Sequence, residues 1–184
     1  AGIFREADDL GDGELIDRIK DSAKQKGTGR WASIEALKQG VDISMITSAC
    51  TARIMSNHLD EREKAWQLIH SPAVGLSPDK ESFAAMVREA LYTGKIIAYA
   101  QGFSLMQDAS RLYGWNLDLG KIASIFRAGC IIQAVFLNDI THAFEAEPKP
   151  ENLIFDGFFL SRINEHQNSL RQAVSTGVMN GDRK

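Results

Sequence analysis

An unbroken helical pattern from about residue 78 to Tyr113, stopped by Gly114, limits what this chain can fold into more than any other feature. About 36 residues at 1.5 Å each make a rod of roughly 54 Å, long for a globular helix. Ser77 and Pro78 suit its first turn, where proline has no hydrogen bond to lose. The opening is amphipathic through Phe83, Val87, Ala90 and Gly94. From Ile96 onward apolar residues occupy every side, among them Ile97, Tyr99, Phe103, Leu105 and Met106. A helix apolar all round belongs at the centre of a larger helical body or in a subunit interface. Gly94 and Gly102 would let neighbouring backbones come close. The uncharged run from Ile96 to Gln107 is too short to span a bilayer and contains Gln101 and Ser104, so no transmembrane helix is expected.

The rest of the chain reads as shorter helices around that rod. Asp12 can cap a helix from Glu14 to about Lys24, with Leu15, Ile16, Ile19 and Ala23 on one face and Gly27 as its stop. A short helix from Ser33 to Lys38 ends at Gly40, and Asp42 caps the next, from Ile43 to about Asn57. The charge run Asp60-Glu61-Arg62-Glu63-Lys64 reads as the solvated face of a helix ending near His70. Ser71-Pro72 and Ser77-Pro78 bracket a loop. Asp118 caps a helix that continues, with an interruption at Gly129, to about Ala146 before Pro148 and Pro150, and a last pattern through Ile163, Leu170 and Val174 ends at Gly177. No stretch sustains period-two alternation, so no sheet is expected. The fold class is all-α: a multi-helix bundle around one long central helix (about 78–113), forming one domain over 1–184.

At 184 residues one well-buried domain is the natural size, and 44% hydrophobic with 24% charged residues is the balance of a globular chain. A net charge of −3 argues against nonspecific nucleic-acid binding, which needs a basic face to displace counterions. Cys50 and Cys130 have no metal or redox spacing and read as buried small residues, usage that fits a reducing cytoplasm. His58, His70, His142 and His166 are scattered, so no metal site and no convincing acid–base pair emerges.

Chemistry is suggested at Lys26-Gly27-Thr28-Gly29-Arg30-Trp31. Two glycines around a hydroxyl residue let a backbone turn and approach a ligand, and Lys26 and Arg30 bring positive charge to the same loop. The helix-forming sequence that follows would add its dipole and free N–H groups, making an anion the natural guest. An ordinary turn between two helices fits the same residues. The loop is not a nucleotide P-loop, which needs a preceding strand and a Lys-Ser/Thr pair after its last glycine. A second feature lies on the Ile43–Asn57 helix, where Arg53 falls within about 20° of Ile46 and so points with the apolar stripe. Its guanidinium must either reach the rim and pair with a neighbouring carboxylate, or face a pocket with the Lys26 loop and grip an anion.

Gln25-Lys26-Gly27-Thr28-Gly29-Arg30-Trp31, Ile97-Ala98-Tyr99-Ala100-Gln101-Gly102-Phe103, Arg127-Ala128-Gly129-Cys130-Ile131-Ile132 and Arg171-Gln172-Ala173-Val174-Ser175-Thr176-Gly177, in this order, resemble the helical C-terminal domain of 6-phosphogluconate dehydrogenase. The resemblance covers nearly the whole chain. It implies an enzyme that oxidises 6-phosphogluconate at C3 with NADP and releases carbon dioxide to give ribulose 5-phosphate, without a metal. It also implies that Lys26, Thr28 and Arg53 hold the substrate phosphate and, together with the apolar long helix, that the molecule is a homodimer; the cytoplasm remains the compartment that the cysteine usage suggests. The dinucleotide-binding half and the catalytic lysine and glutamate of the family would precede Ala1, so no catalytic residue is expected within this chain and the piece alone should be inert. The family's continuation after Gly177, a further helix and a tail that reaches the partner subunit, is not matched by Asn180-Gly181-Asp182-Arg183-Lys184. A stand-alone helical association module that kept the fold and lost the ligand is the alternative.

Overall fold

The computed structural model describes residues 5–69 and 79–180. Among them seven α-helices follow in order: α1 (Thr28–Gln39), α2 (Ser44–Ser56), α3 (Leu59–Leu68), α4 (Lys80–Tyr113), α5 (Leu119–Ile125), α6 (Leu137–Glu145) and α7 (Gly157–Asn180). The described residues contain no strand, only an isolated bridge between Ala7 and Glu14. No helix of theirs is long and apolar enough to cross a membrane.

The long helix is the axis of the fold. Thr93, Ile96, Ala100 and Phe103 are buried at spacings of three and four, which makes one continuous inner stripe. Against it pack α7, through Phe159, and the α5–α6 pair, through Ala123, Leu137 and Ile140. Aromatic rings close the centre: Phe103 stacks on Phe144 at 5.3 Å between centroids, and Tyr92, Tyr99 and Phe159 each meet Phe136 edge to face. The apolar run from Ile96 to Met106 is thus largely used by the chain's own core. In α6 the buried Leu137, Ile140, Thr141 and Phe144 repeat at helical spacing while Asn138 and His142 stay exposed. On α2, Met45 and Ile46 point their ends at α4. A Cβ on Gly94 or Gly102 would meet those tips at an ordinary 3.9 Å, so these glycines receive side chains rather than a neighbouring backbone.

The start of α4 at Ser77-Pro78, the bracketing loop of residues 71–78 and His70 lie outside the described residues. The observed cap is Asp79, whose carboxylate accepts from the N–H groups of Glu81 and Ser82 and from the Ser82 hydroxyl. The Ser82 hydroxyl bond, then the Ser82 N–H, holds the Asp79 carboxyl below the usual aspartate range. A depressed carboxyl stabilises the fold above its ordinary pKa of about 3.9, and the contribution fades as pH falls through the lower folded value. Asp79→Ala should therefore lower Tm at pH 7, and the gap to wild type should shrink below about pH 4 in thermal melts followed by circular dichroism. A gap of constant size would mean the carboxylate charge plays no part.

Four sequence expectations are corrected. The helix from Glu14 to Lys24 is only a 3-10 turn, Leu15–Arg18. Leu15 and Ile19 are 37% and 56% exposed, so the apolar face has no partner, and a short helix without packing is marginal in water. The short helix expected from Ser33 to Lys38 begins at Thr28 and runs to Gln39. The interruption expected at Gly129 in the Asp118–Ala146 pattern is wider than one residue: two separate helices flank residues 126–136, which lie in turns and bends, with Gly129 at φ +66°. Finally α7 runs through Gly177 to Asn180, whose side-chain amide donates back to the Thr176 carbonyl. Asp118 caps α5 through the Lys121 N–H, and Gly114 ends α4 in the left-handed conformation, both as the sequence indicates.

Candidate functional site

Gly27 has φ +101° and ψ −23°, a conformation that a Cβ would strain, and it turns the irregular segment 19–26 into α1. The first helical bond runs from the Trp31 N–H to the Gly27 carbonyl at 3.0 Å. No side chain caps this end, so the N–H groups of the first turn, at Thr28, Gly29 and Arg30, have no intrahelical acceptor. Lys26, Thr28 and Arg30 are all exposed there. The local field is therefore positive although the chain as a whole is acidic.

The two glycines do different things. Gly29 lies within α1, not in the turn, and a Cβ on it would overlap the Cys50 sulfur of α2 outright. Its role is close helix packing, reinforced by the Ser33 hydroxyl, which donates to the Gly29 carbonyl at 2.9 Å and meets the Thr47 hydroxyl at 3.0 Å. Cys50 and Cys130 are half-buried free thiols rather than fully buried ones.

Arg53 sits on the last turn of α2, exposed, and one guanidinium nitrogen donates to the Lys24 carbonyl. Its observed partner is thus a backbone oxygen two residues before Lys26, not a carboxylate. Among the described residues, Lys26, Arg30 and Arg53 have no ion-pair partner. Arg53 does not touch Lys26 or Thr28 directly; the structure joins them through the segment that carries Lys24. Behind that segment the Gln25 side-chain oxygen is buried with no hydrogen-bond donor.

Sequence reasoning missed the polar residues that hold this arrangement. Ser56 and Asn57 bond to residues 22 and 23, and the Arg62 guanidinium donates to the Asp21 carboxylate at 2.8 Å. At the far end of α1, Glu35 accepts from the Tyr113 hydroxyl at 2.6 Å, which ties α1 to the end of α4. That bond holds the Glu35 carboxyl below its usual range and pushes the Tyr113 hydroxyl up. No spacing rule pairs residues 78 positions apart. The motif glutamine Gln101 serves packing: it accepts from the Met45 N–H and donates to the Asp42 carboxylate, docking the start of α2 on α4.

The described residues hold no cluster of three or more histidine, cysteine, aspartate or glutamate side chains that could bind a metal ion. With no strand among them, they also lack the strand–turn–helix cradle that grips a dinucleotide pyrophosphate. What the described residues do present here is exposed positive charge at Lys26, Arg30 and Arg53 beside the uncapped start of α1.

Known proteins resemble this chain over nearly its whole length. A 6-phosphogluconate dehydrogenase, decarboxylating, from Lactococcus lactis is 43% identical over 179 residues, 97% of this chain and 38% of its own length. The mouse protein of that description is 46% identical over 169 residues, 91% of this chain and 35% of its own. The chain thus spans a little over a third of these curated relatives. The solved 6-phosphogluconate dehydrogenase of Plasmodium falciparum, described apo, with its cofactor NADP+ and with its substrate 6-phosphogluconate, superposes with a TM-score of 0.88 at 36% identity, over 97% of this chain and 39% of that one. The family model of the 6-phosphogluconate dehydrogenase C-terminal domain matches residues 1–183, and the chain belongs to that family.

Proposed function

We propose that Lys26, Thr28 and Arg53 bind the phosphate of 6-phosphogluconate, in a protein that oxidises and decarboxylates this sugar acid to ribulose 5-phosphate and carbon dioxide with NADP. The supporting observation is the uncapped start of α1, with Lys26 and Thr28 beside it and Arg53 tied to the segment that leads in. A phosphate monoester carries close to two negative charges at neutral pH and several strong acceptor oxygens. Backbone N–H groups, a hydroxyl, a point-like ammonium and a planar guanidinium complement them. These residues bind and orient. The acid–base groups and the dinucleotide cradle are assigned to parts of the protein outside residues 1–184.

A homodimer and a cytoplasmic location belong to the same proposal. An open groove of about 730 Å³ between α4 and α7, lined by Ile97, Ile163, Leu170, Val174, Val178 and Met179 among others, supports pairing with a second copy. Val178 is 76% exposed and Val174 59%, apolar surface that association would remove from water.

The test is calorimetric titration of the 184-residue chain with 6-phosphogluconate and with unphosphorylated gluconate. Binding should require the phosphate, and Arg53→Ala should weaken it at least about tenfold, since a charge-assisted hydrogen bond is worth about 1.5–3 kcal/mol. Equal affinity for both sugars, or an unchanged Arg53→Ala, would remove the site and favour the association module without a ligand.

A further inference from the structure

We infer that Ser56 and Asn57 are positioning residues of the phosphate site: they strap residues 22–24 to the end of α2 so that Arg53 and Lys26 face one anion. The inference rests on the phosphate-site reading above and extends it to residues that need not touch the ligand.

Segment 19–26 is neither helix nor strand, so its direction into Gly27 must be set by other bonds. Ser56 and Asn57 supply them. The Ser22 hydroxyl donates to Asn57 Oδ1 at 2.8 Å, Asn57 Nδ2 donates to the Ala23 carbonyl at 3.1 Å, and the Ala23 N–H donates to Ser56 Oγ at 3.0 Å. The next residue, Lys24, accepts from Arg53 itself. Three consecutive residues are thus held by three side chains from one turn of α2.

The same two side chains also fix Arg53 from behind. Its carbonyl accepts from Ser56 Oγ at 2.8 Å and from Asn57 Nδ2 at 2.7 Å. Those bonds alone would be ordinary helix capping. The bonds to Ser22 and Ala23, more than thirty positions away in sequence, are not needed to end a helix. They lock the register between the turn that carries Arg53 and the segment that delivers Lys26 and Gly27. Both ends of the Asn57 amide are used, as acceptor toward Ser22 and as donor toward Ala23 and Arg53. Arg62 prolongs the strap through Asp21, from α3.

The experiment compares wild type, Ser56→Ala/Asn57→Ala, Ser56→Thr and Arg53→Ala as the 184-residue chain, titrated with 6-phosphogluconate over a range of salt concentrations. The double variant should bind about tenfold more weakly while keeping its helical circular dichroism. The dependence of its Kd on salt should match wild type, because every cation is still present. Arg53→Ala should weaken both the affinity and the salt dependence. Ser56→Thr, which keeps the hydroxyl, should bind as wild type does. Wild-type affinity in the double variant, weakening accompanied by lost helicity, or failure of Ser56→Thr to keep affinity would overturn the positioning role alone. If wild type and Arg53→Ala bind alike, or neither binds, the phosphate site falls and the positioning role with it.

Discussion

Phe159→Ala should lower the free energy of unfolding by about 3–5 kcal/mol, the usual cost of emptying a buried aromatic position. Phe159 is fully buried in the first turn of α7, edge to face with Phe136 at 5.9 Å and with Phe158 at 5.1 Å. Asp156 fixes the turn by accepting from the Phe158 N–H at 3.0 Å, so the backbone there is held and cannot simply collapse into the space. Because α7 closes one side of the α4 core, the loss would be felt throughout that core. Small domains have only about 5–15 kcal/mol in total, so the variant should unfold at a much lower urea concentration. Leu160→Ala, one position on and 44% exposed, is the control and should cost well under half as much. Similar urea midpoints for the two variants would mean that Phe159 is not the keystone its burial suggests.

What the sequence made legible follows from where local rules decide the outcome. The long helix was readable because its periodicity and its Gly114 stop act within a few residues, although the observed cap is Asp79, which the sequence reading did not single out. The all-helical class and the Asp118 cap were readable for the same reason. Residues 14–24 misled because periodicity says which face a helix would bury, not whether anything is there to cover it; Leu15 and Ile19 find no cover in the described structure. Residues 126–136 were legible in part: Gly129, at positive φ, marks the interruption, but no local rule says that the break runs on until Phe136 and Leu137 re-enter the core. At the site, helical arithmetic placed Arg53 beside an apolar stripe, yet its partner is the Lys24 carbonyl, and a backbone oxygen leaves no mark in a sequence pattern. Ser56 and Asn57 were invisible for that reason too. Gly29 was legible as a special position, but its cause was misplaced, because a glycine in a turn and a glycine against a neighbouring helix look alike until the neighbour is known.

Gly29→Leu should therefore be damaging in two measurable ways at once. Even a single Cβ at this position would overlap Cys50 Sγ, and a leucine adds three more heavy atoms against α2, so α1 and α2 must separate. Overpacking of this kind costs about 1–3 kcal/mol, and the upper end applies here because Ser33, bonded to both Gly29 and Thr47, resists the movement. Leucine's better helix propensity offsets less than about 1 kcal/mol of that. Separation of the helices would also carry Thr28 and the uncapped start of α1 away from Arg53, so phosphate affinity should fall together with stability. Gly29→Ala is the milder version, and pairing it with Cys50→Ala removes the colliding sulfur. The double variant should recover most of the stability lost by Gly29→Ala alone, with a coupling of about 0.5–3 kcal/mol in urea unfolding. Additive effects of the two substitutions would show that Gly29 is not there for Cys50.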